Sequence, residues 1–328
     1  MPDYTPVEPT QQFGVQEGIQ ARKPRFRILL PSLLFLATFV TTTIAGVFWL
    51  NKDGNDLNNF AQGLPYSLSI LFILASHELG HYFAARYHKV ESTLPFFIPA
   101  PPMFMPFGTL GAVIRTRSPV PTRKAMFDIG VAGPIAGFIA TLIILWIGFA
   151  NLPPKEYLYS IHPEYAMGMK PQGIDYVFGN TFLFSGLSKL LATGFLPPMN
   201  EIYHYPFLCV GWFGLLVTAM NMIPVGQLDG GHITYAMFGK DHRVIARAAF
   251  GLLLAFGLAG LAPLLEIHLS FGWTGWLLWA MILFFIIRLD HPPIADTEQL
   301  SPNRMAVGWI SLLIFVISFS PTPINIPF

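Results

Sequence analysis

Apolar runs of about 20 residues recur along the chain, at 28–50, 65–87, 126–151, 206–237, 244–265, 270–289 and 305–321, each long enough to cross a bilayer as a helix. Inside lipid every backbone N–H and C=O must find a partner within the protein, so only helices and closed barrels can span. The fold class that follows is an all-α polytopic membrane protein with about 6–7 transmembrane helices. Composition agrees, since 53% of the 328 residues are hydrophobic and only 11% are charged, against roughly 25% in an ordinary soluble domain. The net charge of +1 gives no reason to expect nucleic acid, and a single cysteine, Cys209, excludes an intrachain disulfide framework.

Lysine and arginine set the orientation. With the N-terminus cytosolic, 15 of the 19 fall on the cytosolic side, leaving Lys52, Lys155, Lys170 and Lys189 outside. Two connections are long. The outer one, 152–205, mixes Pro, Gly, Asn and aromatics, and its residues suggest no function. The cytosolic one, 88–125, is too Pro-broken for a helix and too apolar for a free loop. Within it GTLGAVIRTR alternates as a strand over 108–117. Such backbone at membrane depth is tolerated only where it is buried in protein or lines a water-filled cavity.

The second run contains His77-Glu78-Leu79-Gly80-His81, three ionisable groups on one turn where a lone charge costs at least a few kcal/mol. On a helix, residues i and i+4 share a face about 6 Å apart, so both imidazoles reach one metal ion with Glu78 beside them. A zinc ion with three protein ligands keeps one position open for water and lowers its pKa towards 7. A His-acid-x-x-His arises by accident in roughly 1% of chains of this composition, and burial in a span makes two merely structural histidines the weaker reading.

A catalytic zinc needs a third ligand. Asp128, Asp229, His232 and Glu266 are the ionisable candidates within or near the spans. Glu266 lies at the outer end of its span, away from His77 and His81. Asp128 sits near the membrane surface beside Arg123 and Lys124, where an ion pair or a supporting role behind the ligands is expected. Asp229 lies in NMIPVGQLDGGH, where Pro224, Gly226, Gly230 and Gly231 predict a broken helix, a usual mark of a site at membrane depth. Asp229 is the expected third ligand and His232 the fallback. Gly130, Gly133 and Gly137, with a kinking Pro134, predict close helix packing on the third span, with a role in shaping the cavity beside the metal as the alternative.

HELGH on one span, with Asn221, Pro224 and Leu228-Asp229-Gly230-Gly231 on a later one and FDIGVAGPIAGF at 127–138 between them, resembles the site-2 protease family of intramembrane zinc metalloproteases. The match covers about 65–240. The resemblance implies His77, His81 and Asp229 as ligands of one zinc per chain, Glu78 as the catalytic carboxylate, Asn221 as a substrate- or oxyanion-contacting side chain, and a membrane-associated strand or hairpin beside a three-helix catalytic core. No segment has the length and glycine-rich start of a PDZ domain, and PVGQLDGG is most similar to the PDZ-less chloroplast and cyanobacterial branch. On this reading 1–27 is a flexible cytosolic tail, 28–64 the first transmembrane helix and an outer loop, 65–240 the catalytic membrane core, and 241–328 the C-terminal transmembrane helices.

The function this implies is hydrolysis of a peptide bond within or near the transmembrane segment of a membrane-anchored protein, in a bacterial cytoplasmic or thylakoid-type membrane. Its partners would be the bilayer, a transmembrane substrate and an upstream site-1-type protease. The main rival is a metal-ion transporter using the His-Glu-His turn as a transit site, which should show further polar ligands along a path and an internal repeat. An aspartyl protease built on Asp128 and Asp229 leaves HELGH unexplained, and a membrane-anchored soluble protease would not bury the motif in a span.

Overall fold

In the computed structural model the described residues are 24–169, 176–267, 269, 271–294, 296 and 298–325, so the tail reading falls, for residues 1–23, outside them. Helix α1 (Pro24–Trp49) begins four residues earlier than the apolar run. Helix α2 (Leu64–Tyr87) follows a short 3₁₀ turn, Leu57–Gly63, whose Asp56 cap accepts from the Asn58 N–H. A hairpin of β1 (Phe96–Pro99) and β2 (Thr109–Val113) leads into α3 (Arg123–Ala150). The outer loop holds α4 (Lys155–Ile161), a two-residue strand β3 (Val177–Phe178) and α5 (Phe182–Leu191). The run expected at 206–237 is two helices, α6 (Pro206–Met222) and α7 (Asp229–Phe238), and α7 is followed by α8 (His242–Ala259). Helix α9 (Gly275–Ile282) continues as a π turn over Leu283–Ile287, and α10 (Pro302–Ser318) precedes β4 (Ile324–Asn325), which pairs antiparallel with β3.

Among the described residues four helical stretches, Ile28–Trp49, Leu57–Tyr87, Arg123–Ala150 and Asp229–Ala259, are long and apolar enough to cross a membrane. Four shorter apolar helices, Phe182–Leu191, Pro206–Met222, Gly275–Ile287 and Pro302–Ser318, accompany them. The core sits around α6, whose Trp212, Leu215 and Met222 are fully enclosed, with α2 and α3 packed against it and against each other.

The threonines of α1 turn their hydroxyls back on its own carbonyls, Thr38 to Leu34 (2.8 Å), Thr42 to Thr38 (2.7 Å) and Thr43 to Phe39 (2.7 Å). This satisfies them without water, as an apolar setting requires. Two hydroxyls tie neighbouring elements down: Thr42 lies 2.7 Å from the Ser67 hydroxyl of α2, and Thr41 donates to the Gly108 carbonyl at the foot of β2 (2.7 Å). The predicted strand at 108–117 is shorter than expected, Thr109–Val113. Its partner β1, in the register Phe96↔Val113 and Phe97↔Ala112, was hidden in a Pro-rich stretch.

Asp128 forms an ion pair, but not with the neighbouring cations. Its carboxylate takes both Nε and Nη2 of Arg304, each at 2.8 Å, and Oδ2 also meets His88 Nε2 at 2.8 Å. Arg123 instead donates from Nε to the Ala236 carbonyl (2.7 Å). The fork-to-carboxylate geometry joins α10 to the start of α3 and the end of α2. Arg304→Ala is expected to cost about 1–3 kcal/mol by leaving a half-buried carboxylate short of its partner. Thermal unfolding in detergent should show a lowered Tm with metal content unchanged.

Candidate metal centre

Helix α2 has Pro65 in its first turn, where a proline's missing N–H costs nothing, and runs unbroken through the histidine motif. His77, Glu78 and His81 are buried on it, 6–7% exposed. The third group reaches them because the chain leaves the helix after Met222. Ile223 precedes Pro224 and is extended (ψ 125°), as steric conflict with a proline ring dictates. Gly226 then takes φ +55°, where a side chain would strike the Arg288 carbonyl oxygen, so the turn can close against the segment after the π turn. Gly226 donates its N–H to Leu289 (3.0 Å) and Val225 donates to Ile223 (2.7 Å), which keeps the irregular backbone bonded. Helix α7 restarts at Asp229, in the first turn, where free N–H groups and the helix dipole favour a carboxylate.

Asp229 Oδ2 lies 3.3 Å from His77 Nε2 and 3.4 Å from His81 Nε2, and the two nitrogens are 3.1 Å apart. A tetrahedron with metal–ligand bonds of about 2.0–2.1 Å has edges of about 3.3–3.4 Å, so this triangle has the size of one face of a zinc-type coordination shell. The donor chemistry agrees. His81 Nδ1 lies 2.7 Å from the Ile129 carbonyl, which fixes the proton there in the neutral ring and leaves Nε2 as a lone pair facing the other two ligands. Three such acceptors converging in a buried space call for a cation. The residues therefore fit a bound metal.

Asn221, in the last turn of α6, places Nδ2 3.5 Å from His77 Nε2. The backbone N–H of Ile114, the residue after β2, faces the Glu78 carboxylate, which brings the hairpin beside the motif. The fallback ligand His232 stays outside the triangle, its Nδ1 2.8 Å from His291 Nε2. Asp128 is occupied by Arg304, and Glu266 is exposed at the end of a 3₁₀ turn.

The glycines of α3 do more than bring helices close. A Cβ at Gly133 would overlap the His81 imidazole at Nε2, and one at Gly137 would stand 3.1 Å from His77 Nδ1. Helix α3 is thus a bare backbone wall for the two rings. Sequence spacing suggested small-residue packing, with a role beside the metal as the alternative, but not that the packing partners are the two imidazoles. Gly133→Ala is expected to displace His81 and weaken metal affinity by about 10–100-fold, the scale for losing a ligand's support. Gly251→Ala, where a Cβ meets open space on α8, should leave affinity unchanged; equilibrium dialysis on both variants measures the difference.

Comparison with known proteins places these residues in context. The profile described as Peptidase family M50 matches residues 65–262. The "Probable zinc metalloprotease EGY2, chloroplastic" of Oryza sativa subsp. indica is 30% identical over 271 residues, 82% of this chain and 44% of that protein. The "Probable zinc metalloprotease EGY1, chloroplastic" of Oryza sativa subsp. japonica is 32% identical over 260 residues, covering 79% and 40%. The "Probable zinc metallopeptidase EGY3, chloroplastic" of Arabidopsis thaliana is 26% identical over 298 residues, covering 88% and 48%. The chain therefore spans less than half the length of these relatives.

Proposed function

The chain belongs to peptidase family M50, and from that membership we propose that it is a zinc metalloprotease hydrolysing a peptide bond within or beside the transmembrane segment of a membrane-anchored substrate. The observation that carries this reading is the buried convergence of His77, His81 and Asp229 with Glu78 on the same turn. The relatives' names supply zinc, and the ligand triangle suits it.

His77, His81 and Asp229 would hold the ion, whose chemistry when bound is to acidify water and polarise a carbonyl. Glu78, one residue from the first ligand, takes the proton of the attacking water and passes it to the leaving amine. The Asn221 amide donates to the substrate oxygen on which negative charge develops, since its Nδ2 already lies beside the ligand cluster. A helical substrate hides its carbonyls in intrahelical bonds, so it must unwind. Strand β2 supports the unwound segment by edge pairing, and the Ile114 N–H facing Glu78 puts that edge beside the reacting groups.

We place the protein in a bacterial cytoplasmic or thylakoid-type membrane as a multi-pass protein with six or seven spans. The cation distribution supports an N-terminus and catalytic half on the cytosolic side. The substrate would be a single-span protein trimmed first by a site-1-type protease.

Purified wild type and Glu78→Gln should carry the same zinc, while cleavage of a reconstituted single-span substrate falls about 10²–10⁴-fold in the variant. His77→Ala/His81→Ala should carry one zinc fewer per chain. Equal cleavage by Glu78→Gln would sink its role, and zinc flux into vesicles without any cleavage would mark a transporter instead. Val113→Pro, opposite Phe96 in the hairpin, should abolish cleavage while zinc stays bound; unchanged cleavage would remove β2 from the mechanism.

A further inference from the structure

The outer loop, whose residues suggested no function, holds a second convergence of ligand atoms. His162 follows α4, and Glu201 and His204 lie just before α6. His162 Nε2 and His204 Nε2 are 2.9 Å apart, and Glu201 Oε2 is 3.6 Å from each of them. These edges bracket the roughly 3.3–3.4 Å edge of a zinc-sized tetrahedron. Glu201 and His204 are each only 1% exposed, so the cluster is enclosed rather than a chance meeting of surface side chains.

Two of the three members are also held from behind. His204 Nδ1 lies 2.8 Å from the Trp49 carbonyl at the end of α1, which fixes the proton on that nitrogen of the neutral ring and leaves Nε2 as a lone pair. The second oxygen of Glu201, Oε1, accepts from the Tyr165 hydroxyl and from Asn200 Nδ2 (2.9 Å), turning Oε2 towards the two rings. The Glu164 carboxylate lies near the third member, its Oε1 3.6 Å from His162 Nδ1, beyond hydrogen-bond distance. Backing such as that of His204 and Glu201, a carbonyl on the far nitrogen and hydrogen bonds on the far oxygen, is what orients ligands at metal sites.

We propose that His162, Glu201 and His204 form a second metal site, structural in role and suited to zinc or a similar divalent first-row ion. Two imidazoles and one carboxylate match the borderline-soft preference of such ions, and not calcium or magnesium, which take oxygen ligands. The site lies at the opposite end of α6 from the first triangle. Its 17 residues at 1.5 Å per residue separate the two by about 25 Å, so one ion cannot serve both. Because the ligands come from the two ends of the 162–204 segment and are backed by α1, a bound ion clips the outer loop onto the ends of α1 and α6. Tyr157 adds to the clip by donating to the His204 carbonyl (2.7 Å).

Metal counting on the full chain tests this, using protein stripped with a chelator, reloaded with zinc and desalted. Wild type should hold two zinc ions per chain, His162→Ala one, His77→Ala/His81→Ala one, and the combined variant none. Cobalt loaded into His77→Ala/His81→Ala should give the intense visible bands of a tetrahedral site, and these should vanish when His162→Ala is added. One zinc in wild type with His162→Ala unchanged would overturn the proposal and leave a plain hydrogen bond between the two imidazoles. Should His162→Ala fail to fold, the His77→Ala/His81→Ala protein decides alone, one zinc with tetrahedral cobalt bands upholding the site and none overturning it.

Discussion

The convergence of His77, His81 and Asp229 depends on a helix that stops inside the protein. In an apolar setting each backbone group left without a partner costs several kcal/mol, so a break is tolerated only where the surroundings replace the lost bonds. Between Met222 and Asp229 they do so through Val225 to Ile223, Gly226 to Leu289, and His232 to Leu228. The consequence is geometric. Asn221 and Asp229 are eight residues apart, and on one continuous helix that would separate them by about 12 Å along the axis. In the folded chain Asn221 Nδ2 and Asp229 Oδ2 both lie within 3.5 Å of the same atom, His77 Nε2.

Helix α3 supplies the complementary constraint. Two buried imidazoles facing one carboxylate need a flat wall behind them, and the glycine face of α3 provides one where any larger residue would push the rings away. The same helix offers the Ile129 carbonyl that orients His81, so one element both makes room for the ligand and fixes its tautomer. Gly80 on α2 meets the Ala132 carbonyl across this contact, so the closeness is shared by both helices. The hairpin is held from the other side by α1, through Thr41, and reaches Glu78 through Ile114.

Much of the site was legible because its signals are local. His77 and His81 announce themselves by a spacing that any helix places on one face. Pro224 and Gly226 announce a break by what their backbones forbid and permit. Asn221 could be singled out only by resemblance to a family, since a lone Asn at a helix end carries no physical signal of its own. Strand β1 was not legible, because FFIPAPP lacks alternation and is a strand only by virtue of β2 beside it. The partner of Asp128 was missed for a like reason: Arg123 and Lys124 are near in sequence, while Arg304 is near in space.

The sequence by itself determined the helical, membrane-suited architecture, the histidine pair with its glutamate, and the point at which the fourth run must break. Each of these follows from covalent geometry acting over a few residues, or from the mismatch between apolar side chains and water. Only the tertiary structure decided that Asp229 and not His232 completes the first triangle, that the glycines of α3 serve the imidazoles, and that His162 meets Glu201 and His204 across some 40 residues of loop. Those outcomes depend on which buried polar groups find each other when distant segments pack. No short window of sequence contains both partners, and the partner a buried group finds is settled by the packing that removes the alternatives.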